Sequence, residues 1–268
     1  MTLRRQALEL LLLPDADEKA RLARSLSTSA EAPVGAQEAI EEPAGVPGRA
    51  ERPPLVPPAR LKARSAATRE GRAALLHAVA HIERNAIDLA LDAVWRFPGL
   101  PDRYYRDWLQ VAREEALHFM LVRDHLATLG HAYGDLPAHD GLWEMAAKTR
   151  GDLLARMALV PRTLEARGLD ASPPMQAKLL AAGDTAAAAI LDVILRDEIG
   201  HVAIGNHWYR WLCAQRRLDP IATYAQLASH YGAPRLRPPF NEEARRQAGF
   251  SEEEIARLAQ PDRDPGRR

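Results

Sequence analysis

Cysteine is nearly missing from this sequence: Cys213 is the one thiol in 268 residues. No internal disulfide can form, and neither a cysteine-rich zinc site nor an iron–sulfur cluster can be built. A reducing, cytoplasmic setting is expected, with Cys213 a small core residue near a helix end. Net charge is missing too, since 36 Lys and Arg balance 36 Asp and Glu. Total charge therefore gives no hold on nucleic acid or an anionic membrane, although a local patch stays open. No apolar run approaches the ~20 residues that a membrane-spanning helix needs. Aromatics are scarce, at 6%, and no credible strand run occurs. Ala, Leu, Arg and Glu dominate instead, and such small or straight-chain residues favour helix. With 47% hydrophobic residues, the chain can fill one sizeable core. The expected fold class is all-α.

Three stretches are distinguished. Residues 1–60 read as two short helices separated by Pro14, followed by a segment rich in Pro, Ala, Gly and Glu. Pro53, Pro54, Pro57 and Pro58 there point to an extended or disordered linker on the surface. Arg4, Arg5 and the leucines up to Leu13 superficially resemble a signal peptide. Glu9 interrupts the run and no small-residue cleavage site precedes Pro14, so a short amphipathic helix is expected.

Residues 61–217 carry helical periodicity. The spacing predicts helices from about Thr68 to Phe97, from about Asp102 to Gly130, and from Asp140, a good N-cap, to Gly168. Ser172-Pro173-Pro174 signals a further start that ends near Gly183, and a last long helix runs from Asp184 to about Arg216. Four long patterns imply a four-helix bundle. Residues 218–268 read as a tail of shorter helices packing on it, with Ser251 and Glu254 as a capping box.

Three of the long patterns have an apolar stripe with a polar interruption. In the first, Leu76, Val79, Ala80, Ile87, Ala90 and Leu91 surround Glu83. In the second, Val111, Ala112, Phe119 and Val122 surround Glu115 and His118. In the fourth, Ile194, Leu195, Val202 and Trp208 surround Glu198 and His201. Residues three apart share a helix face, so each Glu-x-x-His pair points into the core. Composition predicts about 0.6 such matches by chance; two occur, both mid-helix. An ion pair to an arginine could explain Glu83 alone. Buried Glu and His converging from separate helices call for a shared partner, because an uncompensated charge in a core is costly. A pair of cations provides one: carboxylates bridge them and offset their charge, and each imidazole supplies one nitrogen. Oxygen-rich ligation with one His per ion suits iron or manganese.

One Glu from each of two helices with Glu-x-x-His from the other two is the ligand pattern of di-iron and di-manganese bundles. It asks for a carboxylate on the third helix. Glu165 is preferred, because it precedes Glu198 by 33 residues much as Glu83 precedes Glu115 by 32; Glu144 is the competitor. Pro161, one turn before Glu165, should kink or loosen that helix. Asp88, Asp92, Asp124 and Asp197 are candidates to accept the second N–H of a metal-bound His. Glu114 is a substitute for Glu115, and Arg162 a partner for a ligand carboxylate or an anionic substrate. His77 and His81, off the Glu83 face, are expected to be hydrogen-bonded or solvated. Gly205 leaves substrate space or allows close helix packing. Arg235, Arg237, Arg245 and Arg246 are either phosphate-binding or simply exposed.

His81-Ile82-Glu83, Ala86-Ile87-Asp88-Leu89-Ala90, Glu114-Glu115 with His118-Phe119, and Arg196-Asp197-Glu198 with His201-Val202 and Gly205-Asn206 resemble a bacterial ferritin-like family of uncharacterised function. The likeness spans about residues 50–258. More distantly, the ligand pattern is similar to the di-iron tRNA-modifying hydroxylases, rubrerythrins and ferritins. The resemblance implies a ferritin-like bundle with two metal ions on Glu83, Glu115, His118, Glu165, Glu198 and His201, and it brings no substrate. Iron is the expected metal, with manganese or a mixed manganese–iron pair as alternatives. An oxidoreductase activating O₂ or peroxide leads the functional readings, acting on a small-molecule or modified-nucleoside substrate with an unidentified electron donor. Ferroxidase or metal handling and a metal-stabilised interaction protein are the alternatives. No membrane association is expected, and a homodimer is compatible.

Overall fold

The computed structural model describes residues 1–27, 29–61 and 64–258. Among them every long element is helical, and β-pairing is confined to one bridge between Leu55 and Ala138. Pro14 separates α1 (Leu3–Leu11) from α2 (Ala16–Ser25), the latter capped by Asp15, which accepts from Glu18 N–H. α3 (Arg69–Arg96) starts at Thr68, whose hydroxyl accepts from Gly71 N–H. α4 (Asp102–Thr128) follows after residues 97–101 and closes at Gly130, whose φ of 77° is the left-handed geometry that glycine adopts freely. The short connection makes α3 and α4 antiparallel neighbours. Their stripes bury Leu76, Ile87, Val94, Val111, Phe119 and Val122 against each other and the rest of the bundle.

The third leg departs from the two helices expected, 140–168 and 172–183. It comprises α5 (Gly141–Lys148), α6 (Leu153–Leu159), a π-helical turn (Val160–Glu165) and α7 (Ala166–Ala181). Asp152 restarts the helix by accepting from Ala155 N–H. Pro161 has no N–H to give, and the backbone loosens there, as its position predicts. Thr163 Oγ1 donates to Ala158 O, five residues back. The stop predicted at Gly168 and the start at Ser172 are not observed, because α7 runs through both prolines. Pro173 cannot serve the carbonyl of Leu169; Asn241 Nδ2 donates to it instead, at 3.2 Å. Ser172 Oγ bonds Gly168 O at 2.8 Å.

After residues 182–184, α8 (Thr185–Gln215), capped by Asp184, returns along α7 and α4 and completes the bundle. Pro161 packs against Gly205, where a Cβ would stand 2.5 Å from the proline Cβ. Close packing, then, is what that glycine serves.

The N-terminal segment is bound to the bundle, α1 on α3 and α2 on α4. Arg4 donates to Gly35 O, Glu38 O and Trp95 O, so α1 fastens the proline-rich segment to α3. Lys19 Nζ reaches Asp88 at 2.5 Å in full burial, and Arg84 binds the other Asp88 oxygen. Asp92 is held by Arg96 and Arg156 in the same way. Asp88 and Asp92, candidates for a histidine partner by sequence, thus belong to these ion clusters; Asp124 pairs with Arg123 at the surface.

The tail holds α9 (Pro220–His230), α10 (Glu242–Gln247) and α11 (Glu252–Leu258). The Ser251–Glu254 capping box forms as expected, both bonds present. Glu254 also binds Arg162, which stacks on Tyr209 and Phe250 and so faces the tail, not a ligand carboxylate. Arg245 is buried against Asp170, correcting its reading as a phosphate-binding or exposed residue. Cys213 and Tyr209 are core residues. No helix among the described residues is long and apolar enough to cross a membrane.

Candidate metal centre

Glu83 comes from α3, Glu115 and His118 from α4, Glu165 from the last position of the π turn, and Glu198 and His201 from α8. All six are buried. One oxygen or nitrogen from each of Glu83, Glu115, His118 and Glu198 lies within 4.8 Å of the others, a group able to hold a metal ion. His201 adjoins this group: its Nδ1 is 2.9 Å from Glu115 Oε1 and 4.0 Å from Glu198 Oε2. His118 Nδ1 stands 3.3 Å from Glu115 Oε2 and 3.5 Å from Glu83 Oε2. Glu115 therefore turns one oxygen toward each imidazole, and the two rings are 5.8 Å apart between centroids. Glu165 lies beside this group, within reach of the charges of Glu115 and His201. Glu144, its competitor, is exposed on α5.

The outer nitrogens are held crosswise. His118 Nε2, on α4, is 3.2 Å from Asp197 on α8; His201 Nε2, on α8, is 2.8 Å from Glu114 on α4. A carboxylate only accepts, so each Nε2–H donates outward, while each Nδ1 faces the centre and lies against a carboxylate there as well. Both acids keep a lowered pKa although burial opposes it, Asp197 through Arg196 and His118, Glu114 through His201 and Gln110. Sequence reasoning placed Asp197 among four candidates and took Glu114 for a substitute ligand. The available signal was an acid directly before the Glu of each Glu-x-x-His pair.

The centre is electrostatically unfinished. Burial, aided by Glu115's charge, pushes Glu83 up to about 7 and Glu165 up to about 8, and drives Glu198 well above the usual carboxylate range. Burial would raise Glu115 too, but the His201 and His118 charges outweigh it and hold that carboxyl low. Burial would lower His118, yet donating to the Glu115 and Glu83 carboxylates pushes it up to about 12; His201 is raised by Glu115 and Glu114 against the same opposition. Among the described residues, Glu83 Oε2, Glu115 Oε1, Glu165 Oε2, Glu198 Oε2 and His201 Nδ1 are buried without a hydrogen bond. Buried polar atoms are ordinarily partnered, and here five atoms of the ligand residues lack a hydrogen bond, two of them, Glu115 Oε1 and His201 Nδ1, standing 2.9 Å apart. This donor set fits a cation such as iron or manganese.

His77 and His81 lie elsewhere, as expected. His77 Nε2 accepts from Gly134 N–H at 3.0 Å, and His81 bonds Tyr133 and the His139 carbonyl.

A family model described as "Protein of unknown function (DUF455)" matches residues 12–256. The match thus begins well before residue 50 and takes in α2 and the proline-rich segment. An "Uncharacterized protein" of Haemophilus influenzae is 54% identical over 212 residues, 76% of this chain and 74% of that protein. No solved structure matches.

Proposed function

The chain belongs to the DUF455 family of proteins of unknown function, and we propose that it is a di-metal carboxylate oxidoreductase acting with O₂ or peroxide. The carrying observation is the set of five buried atoms without a hydrogen bond at the carboxylate–histidine cluster. Glu115, which turns one oxygen toward each histidine, would help hold both ions. His118 with Glu83 would hold one ion, and His201 with Glu198 the other, with Glu165 completing the set. Iron, or manganese in its place, supplies one-electron redox chemistry there.

The protein's own part is positional. Asp197 and Glu114 fix each imidazole with its Nδ1 turned inward, where it would give up its proton to bind a cation. The raised carboxyls of Glu83, Glu165 and Glu198 give up protons when cations enter, which couples binding to proton release. Phe119, Ile194, Leu191 and Val202 are fully or almost fully buried on the same helices and help keep bulk water out.

Metal analysis of protein loaded anaerobically with iron tests this reading. About two irons per chain are expected, with an oxo-bridged absorption after exposure to air. Glu115→Ala and His201→Ala should each lose metal. A loaded sample without bound metal would overturn the proposal. The compact four-residue group favours a second reading, a single stabilising ion; one ion per chain with no redox change in the spectrum would select it.

A further inference from the structure

On a different side of α3 from the metal centre lies a cavity of about 430 Å³, within the size range of small-molecule sites. One helical stripe forms a wall: Ala74, His77, Ala78, His81, Ile82 and Asn85. Leu136, Pro137 and Leu142 face it from the following loop and α5, and Arg60 and Arg64 lie at its exposed edge. The metal ligands do not line it.

One polar group here is unspent. Asn85 is 1% exposed, and its Nδ2 donates to His81 O at 2.8 Å. A carbonyl only accepts, so this bond fixes the amide orientation and leaves Oδ1 as the other end. Asn85 Oδ1 is buried with no hydrogen-bond partner among the described residues, on a residue that lines the cavity. His77 Nε2 accepts from Gly134 N–H and Leu136 N–H, so the neutral ring carries its hydrogen on Nδ1. The wall thus carries an acceptor without a partner, set in aliphatic surface. Ile82, 45% exposed, leaves that surface open. Neither Arg60 nor Arg64 has an acidic partner among the described residues, so positive charge stands at the edge.

We infer that this cavity binds a small organic anion, one with an apolar body, a carboxylate or phosphate for the arginines, and an N–H or O–H donor for Asn85. The apolar wall takes the body, the two guanidiniums take the anionic end, and Asn85 Oδ1 takes the donor. The inference is independent of the metal reading, since no ligand of the centre takes part.

Calorimetric titration of the full-length, metal-loaded chain tests it with three probes. Indole-3-acetate has an aromatic body, a carboxylate and an N–H. Decanoate lacks the donor, and inorganic phosphate lacks the body. Saturable binding of indole-3-acetate is expected, with decanoate weaker by roughly tenfold for want of one hydrogen bond to a buried acceptor. Phosphate alone should not saturate. Ile82→Trp fills the cavity from an exposed position and should abolish binding while melting temperature and metal content stay unchanged. R60Q and R64Q together should weaken binding roughly tenfold or more and remove its salt dependence. No saturable binding of either organic probe, or undiminished binding to the Ile82→Trp protein, overturns the site. Phosphate binding as tightly as indole-3-acetate overturns the requirement for an apolar body. Equal binding of decanoate overturns the role given to Asn85.

Discussion

At the scale of single residues, the acids behind the histidines have a separable effect. Asp197→Asn and Glu114→Gln keep size and shape but lose the charged acceptor for Nε2–H. Each should weaken metal binding ten- to a hundredfold with the fold intact, measured by competition with a chelator of known affinity. Unchanged affinity would show that the imidazoles are held by packing alone. Asp88 offers a contrast. Asp88→Ala strands Lys19 and Arg84 in the interior, and loss of one partner in a buried pair costs about 3–5 kcal/mol. Urea unfolding of the variant should show this loss while metal stoichiometry in the folded fraction is kept. His77 gives the molecule an acid limit. Burial lowers its pKa to about 4 from an ordinary 6.5. Between those values the unfolded chain binds a proton that the folded chain refuses, so stability falls as pH drops from 6.5 toward 4. The loss approaches roughly 3 kcal/mol. His77→Gln should flatten that part of the stability–pH curve, and an unchanged slope would assign the acid sensitivity elsewhere.

At the scale of elements, the π turn decides where Glu165 points. Pro161→Ala returns the missing N–H and allows the turn to tighten toward regular α-helix, which would rotate Glu165 relative to α6. The expected result is a folded protein with less than full metal occupancy, read by elemental analysis and helical circular dichroism. Full occupancy would mean that Glu165 does not depend on the turn. The sequence made the disturbance at Pro161 legible because a missing N–H has a local, certain effect. It made α3, α4 and α8 legible because their stripes are long and their caps and stops, Thr68, Gly130 and Asp184, are standard chemistry. It misled at Gly168 and Pro173, where the bond that rescues α7 comes from Asn241, 72 residues away from the Leu169 carbonyl. The Glu and His positions of the centre stood out because polar residues on an apolar face violate a periodic rule. Which acid supports which histidine did not, since that depends on how α4 and α8 lie side by side.

At the scale of the whole molecule, the N-terminal segment is part of the structure's interior economy. α1 and α2 cover α3 and α4, and Lys19 completes the Asp88 cluster, so the bundle is not expected to stand alone. Removing residues 1–26 should expose apolar surface and leave Asp88 one cation short, giving aggregation or a sharply lower melting temperature. A truncated chain as stable as the whole would contradict this. The crossed bonds at the centre add a mechanical property. Asp197 on α8 grips a ring of α4, and Glu114 on α4 grips a ring of α8. Any sliding of one helix along the other strains both grips together and displaces both rings in opposite senses. The two halves of the centre are thereby geared: a slide that loosens one imidazole loosens the other with it.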